Sequence, residues 1–408
     1  MLYFYPLFLK TNPDNYVSAG FQDSGNLTVS KNNDVMKRYS LTCNITAHVA
    51  LILLALVSVL SLKAQDPHFT QFYNNPIYYN PGYIGLNPGY RARFNYRDQW
   101  TGLPTDFKTY SFSMDVAERG IPGSGGLGML VLSDKAGTGL IKNNSVGIGT
   151  AARVPLQENM VTQVGFMVSF VQKSIDWDHL VFTDQLSARY GNIYPTNFEA
   201  PDKNNVTYPD FSVGGVYRFA ETGWNFSAIQ GTFGLALHHA FTPNESFLGL
   251  TATLPRKLVV SGDLVLEIEQ GRGSSYRNYR NTGSFKFNPG FIYEKQAEFS
   301  TYSVGVNVLK SSIYFGIWFR NQTFDLFKAN DAMFSVGVNA PFNRESRLKI
   351  MYTYDYIITE LRTAARASHE ISLVFEFDSF SLFSNGGGGG FAPSYRGSKF
   401  REMECCPF

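Results

Sequence analysis

Cysteine is nearly missing from the 408 residues: Cys43, Cys405 and Cys406 are the only thiols. Disulfide geometry holds Cα atoms farther apart than neighbours in a trans chain, so the adjacent pair at 405 and 406 is a poor match for one another. No disulfide framework follows, and no Cys/His spacing fits zinc. Charge is also scarce. Asp, Glu, Lys and Arg make up 17% of the chain and leave a net charge of +2, against roughly a quarter charged in soluble domains. No Lys/Arg cluster stands out, which sets nucleic acid aside as a partner. Nor is there an apolar run long enough for a spanning helix, which needs about 20 residues; the longest is Val49 to Leu60. Aromatic residues, by contrast, reach 15%, and glycines number 37. The mean hydropathy of -0.14 is that of a soluble chain, but a membrane β-strand offers only half its side chains to lipid and hides in such an average.

Met36-Lys37-Arg38 and the apolar run after it have the charged and greasy regions of a secretory signal peptide, with cleavage expected after Ala64. Leu62 departs from the small residue favoured three positions before a cut. Residues 1–35 precede the leader and are expected to be an over-extended start without function, and 36–64 the leader itself. Residues 65–89 hold Asn74-Asn75-Pro76, Asn80-Pro81-Gly82 and many aromatics, which predicts an irregular segment that lies in the periplasm or fills a lumen. Residues 90–377 are the expected barrel. Residues 378–408, with five glycines from Gly386 to Gly390, are the expected flexible periplasmic tail.

The fold is legible in parity. Ile313, Phe315, Ile317 and Phe319 alternate with Tyr314, Gly316, Trp318 and Arg320, and residues two apart share a face of a strand. The pattern recurs in fourteen stretches, near 90–100, 108–118, 125–134, 144–154, 160–173, 208–219, 230–239, 256–268, 284–294, 301–309, 312–321, 332–340, 348–357 and 369–377. Most have the length a tilted strand needs to cross a bilayer. In 90–100, 301–309, 348–357 and 369–377 charged and polar residues keep to one parity; others, notably 144–154 with its glycines and alanines, are less clean. A charge facing mid-bilayer costs about 2 to 4 kcal/mol, so that parity turns inward. Arg91, Arg93, Arg97, Arg320, Lys349, Asp355, Glu370 and Glu376 are therefore the candidate lumen-facing residues. The fold class is all-β, a transmembrane antiparallel outer-membrane barrel of about 14 strands. A large soluble sandwich would show the same alternation, but leaves the leader and strand length unexplained. Tyr90, Tyr96, Tyr110, Tyr302, Trp318 and Tyr356 are candidates for aromatic girdles. With both ends periplasmic, the longest external connections are 174–207 and 240–255. The first carries Trp177, Asp178 and His179, a candidate contact for cargo. The 269–283 connection, with Arg272, Arg277 and Arg280, is long for a periplasmic turn.

Enzymatic chemistry finds no support. Gly123-Ser124-Gly125-Gly126-Leu127-Gly128 matches a dinucleotide fingerprint as text, but lies between a turn and a strand instead of before a helix. Ser368, His369 and Glu370 alternate between faces and cannot assemble a triad by themselves. No cofactor is expected.

Gln65-Asp66-Pro67-His68-Phe69 with Gln71-Phe72, Tyr79-Asn80-Pro81, Tyr96-Arg97-Asp98-Gln99-Trp100, Tyr354-Asp355-Tyr356, Ser368-His369-Glu370-Ile371-Ser372-Leu373 and the Cys-Pro-Phe end at 406–408 form a set of motifs along the chain. Together they resemble the PorP/SprF family of outer-membrane proteins of type IX secretion and gliding motility. The five-glycine run and the doubled cysteine depart from the family pattern. The resemblance implies a non-enzymatic barrel in the outer-membrane lipid that assists a translocon. It further implies contact with periplasmic machine components and help in secreting or attaching adhesin-like cargo through C-terminal signal domains. A diffusion channel or solute transporter is the alternative.

Overall fold

The computed structural model describes residues 66–378, apart from 106, 119–122, 138–140, 158, 178–179, 202, 222–227, 248, 269–284, 323–328 and 343–345. The expected leader, the run before it, the 269–283 connection and the glycine-rich tail from 379 onward lie outside the described residues.

Among the described residues sixteen strands follow in chain order: β1 (Tyr90–Asp98), β2 (Phe107–Ala117), β3 (Ser124–Ala136), β4 (Ile141–Gln157), β5 (Met160–Ser174), β6 (Leu186–Ser187), β7 (Gly191–Asn192), β8 (Asn205–Glu221), β9 (Ala228–His238), β10 (Lys257–Ile268), β11 (Phe285–Gln296), β12 (Phe299–Lys310), β13 (Ile313–Asn321), β14 (Asp331–Pro341), β15 (Ser346–Ile357) and β16 (Ala367–Phe377). β6 and β7 form a small separate hairpin; the other fourteen close into an antiparallel barrel, with β1 paired to both β2 and β16. Closure leaves no lateral edge along the wall, the condition for spanning hydrocarbon with strands. No described helix is long and apolar enough to cross a membrane.

Alternation sets the two faces. Along β13, Ile313, Phe315, Ile317 and Phe319 are about half exposed, whereas Tyr314, Gly316, Trp318 and Arg320 are buried. The seam register sets opposite charges side by side on the buried face: Arg91 faces Glu376 and Arg97 faces Glu370. The strands exceed the sequence expectation where polar residues interrupt the greasy pattern. β4 begins at Ile141 and β8 at Asn205, because Lys142 and Asn205 both have a ladder partner in Ser174 of β5. One of the six girdle candidates turns inward instead. Trp318 is 1% exposed and sits inside, its indole N–H donating to Asn307 Oδ1 at 2.8 Å, since its parity is that of Arg320 and not that of Phe319.

The core lies in the middle of the barrel and is supplied by residues 66–89. Short helical turns at Phe72–Asn74, Pro76–Tyr79 and Pro81–Tyr83 fold the segment into a compact body with Phe69, Ile77, Tyr79, Ile84 and Leu86 buried. Phe72 meets Trp318 edge-on at 5.0 Å, and Tyr73 stacks on it at 5.9 Å. Wall glycines make room. A Cβ on Gly165 would lie 2.1 Å from the Pro81 carbonyl oxygen, and one on Gly214 would lie 2.0 Å from Asn80 Oδ1. Burying an aromatic-rich segment by about 25 cal/mol per Å² of apolar surface gives the interior a packed core in place of an open channel.

Candidate functional site

The site is the barrel interior and its end with the long connections, which in outer-membrane barrels faces outside. Near that end Thr70 is the hub. Its N–H donates to Glu370 Oε2 at 2.7 Å and its hydroxyl to Asp355 Oδ2 at 2.7 Å. The same hydroxyl accepts from Arg97 Nη1 at 2.6 Å and Arg320 Nη2 at 2.9 Å. Gln71 N–H donates to Glu370 Oε1 at 2.9 Å. Arg97 in turn reaches Asp355 at 2.8 Å and Glu370 at 3.1 Å. Charges buried this deeply persist only when paired and hydrogen-bonded. Four of the eight sequence-selected residues, Arg97, Arg320, Asp355 and Glu370, thus converge on one residue of the amino-terminal segment.

The other four lie toward the opposite end. Glu376 meets Lys349 at 3.1 Å and Arg91 at 3.6 Å, and Arg91 also reaches Asp378 at 3.2 Å. Arg93 pairs with Asp115. All eight side chains are buried.

A third anchor escapes sequence reasoning. Asp66 Oδ2 lies 2.7 Å from His239 Nε2, and His239 Nδ1 lies 3.0 Å from Asp210. Asp66 N–H donates to Gln296 Oε1 at 3.0 Å. Burial works against charge on both partners, yet each holds the other ionised. His239 is pushed up to about 10 by the Asp66 and Asp210 carboxylates, and His239 holds the Asp66 carboxyl well below the usual carboxylate range. Lower down, Asn80 Nδ2 donates to the Gly215 carbonyl at 3.0 Å and Gln163 Nε2 to the Gly82 carbonyl at 2.9 Å.

Small cavities border the segment. One, of about 110 Å³, is lined by Arg93, Arg218, Asp263, Asn288, Trp318 and Lys349 among others. The second, of about 70 Å³, is bordered by Asp66, Tyr78, Asp210, His238 and His239. Among the described residues no group of three His, Cys, Asp or Glu side chains could hold a metal ion.

At the external end Trp177 joins the two long connections. Its ring lies 5.6 Å from Phe198 and 6.3 Å from Phe247, and Lys173 pairs with Glu245 at 2.8 Å. Asp178 and His179 lie outside the described residues. Tyr190, Ile193, Tyr194 and Leu250 are more than half exposed on this loop unit.

The family model described as type IX secretion system membrane protein PorP/SprF matches residues 61–375. The chain belongs to this family. A PorP/SprF barrel of this build resides in the outer membrane, and its family ties it to the type IX secretion machinery. No match was found among curated proteins. Solved structures similar in part include a Pseudomonas aeruginosa FadL homologue, at 11% identity and TM-score 0.35, over 73% of this chain and 92% of that one. The Pseudomonas putida toluene transporter TodX matches at 7% identity and TM-score 0.33, over 77% and 94%. The KdgM porin matches at 6% and 0.31, over 70% and 99%. At such scores the likeness carries no argument about what this chain does.

Proposed function

We propose that the chain is a non-enzymatic barrel component of type IX secretion that assists the release or surface attachment of adhesin-like cargo, which it meets through C-terminal signal domains. Cargo contacts the paired external connections 174–207 and 240–255, with Trp177, Asp178 and His179 as the candidate contact residues. Periplasmic machine components meet the opposite end and the tail. The observation that carries this reading is the family match together with a filled interior. A barrel whose amino-terminal segment is tied to Glu370, Asp355 and His239 is built as a scaffold, and recognition by a closed barrel falls to its loops. The solute-channel alternative would need a continuous water path past that segment.

The test replaces 176–204 and 241–254 with short glycine-serine turns in the full-length chain. The readout is a fluorescent reporter fused to the C-terminal signal domain of a type IX cargo. We expect a normally assembled barrel and loss of surface reporter; unchanged reporter overturns the reading.

A further inference from the structure

β8 outruns its neighbour at the external end. It pairs with β5 as far as Asn205, opposite Ser174, but with β9 only from Val213, opposite Leu237. One further main-chain bond follows, from Ala240 N–H to the Phe211 carbonyl at 3.0 Å. His239, in the left-handed region at φ 55°, is the extra residue that bends the chain away there, as in a bulge. Above Phe211, among the described residues, no main-chain bond reaches β8 from the β9 side.

The direction of the open groups follows from alternation. The Phe211 carbonyl faces β9, and main-chain groups turn to opposite sides at successive residues. The N–H and C=O of Asn205 and Thr207 and the C=O of Pro209 therefore face the gap. Pro209 supports the assignment independently: a proline is tolerated where its missing N–H would point off a sheet edge. The side chains of Asn205, Thr207 and Pro209 are exposed. On the interior face Leu254 packs against Tyr208 and Val171, so the face is covered and the edge is not. From Asn205 to Phe211 it runs about 20 Å, at roughly 3.3 Å per residue.

Resting on the function proposed above, we propose that this overhang takes up an extended strand of the exported protein by strand addition, in the gap between β8 and the β9 turn. Main-chain groups supply the attachment, as in other edge-augmented sheets. Phe241, 73% exposed and edge-on to Phe211 at 5.0 Å, offers an apolar contact to a side chain at the lower end of the incoming strand. Lipid cannot be the occupant, because hydrocarbon leaves main-chain groups unsatisfied. A second copy fits poorly, since pairing two β8 edges would set a missing donor on both, the usual guard against self-pairing.

The test uses the full-length chain and the same surface reporter. Thr207→Pro removes the edge N–H without touching the β5 ladder, and we expect about tenfold less retained reporter, the effect of one lost hydrogen bond with its strain. Thr207→Val keeps the N–H and should retain it. Amide exchange of the 204–211 stretch in the purified wild-type complex gives a second readout that needs no variant: it should slow when the reporter is bound. Unchanged exchange on binding, full retention by Thr207→Pro, or crosslinking of Thr207→Cys between two copies would each overturn the inference. Should loop replacement abolish retention while Thr207→Pro preserves it, the edge is wrong and the loop reading stands. Should neither change matter, the loop reading itself has failed.

Discussion

Thr70 concentrates much of the interior chemistry in one hydroxyl and one amide. Arg97, 2% exposed, pairs with both Asp355 and Glu370 around it, with Arg320 a second cation 3.7 Å from Asp355. Its replacement by Met leaves two buried carboxylates short of a partner and should cost about 3 to 5 kcal/mol, read as a lower urea midpoint of the barrel in detergent. The Asp66–His239 pair makes a pH-dependent clamp. His239 is raised from an ordinary value near 6.5 to about 10, so its stabilisation is complete below about 6.5 and is lost as pH climbs through 10. The lowered Asp66 adds the mirror limit: its stabilisation is present above the ordinary carboxylate value and is lost on strong acidification. Protease access to the amino-terminal segment should accordingly rise between pH 7 and about 10.5, and His239→Gln should flatten that profile. These contacts were out of reach from sequence alone. Nothing in Thr70 or His239 marks it apart from its neighbours, and a network spanning separations of hundreds of residues exists only once the wall is closed. Parity, by contrast, exposed the charged wall residues directly, because hydrocarbon penalises them one by one.

At the scale of the elements, alternation located all fourteen barrel strands, while their ends drifted where polarity and pairing disagree, as at Asn205 and Ile141. Trp318 drops out of the girdle candidates for a related reason: aromatic character suggests an interface, but the parity it shares with Arg320 fixes the face. The amino-terminal segment and the glycines opposite it are complementary shapes. Gly165→Val should drive Pro81 off the wall, the Cβ contact being only 2.1 Å, and produce ion conductance in planar bilayers. Gly215→Ala, whose nearest neighbour would be 3.9 Å away, should behave as wild type. Glycine on a strand was readable as close packing, but not what would pack there.

For the whole molecule the question is whether the barrel conducts. The segment packs Phe69, Ile77, Tyr79, Ile84 and Leu86 into the interior and sets Phe72 and Tyr73 against Trp318, so the intact protein should stay electrically silent, and removal of residues 66–88 should open a steady conductance. A conducting wild type would instead favour the solute-channel alternative. The seam adds a point about assembly. Thr70 and Gln71 bond to β16 at Glu370 while Thr70 also bonds to β1 at Arg97, and these are the two strands made farthest apart in time. Thr70 and Gln71 thus act as a rivet across the joint between the first and last barrel strands, and the segment that fastens the cylinder is also the one that stoppers it.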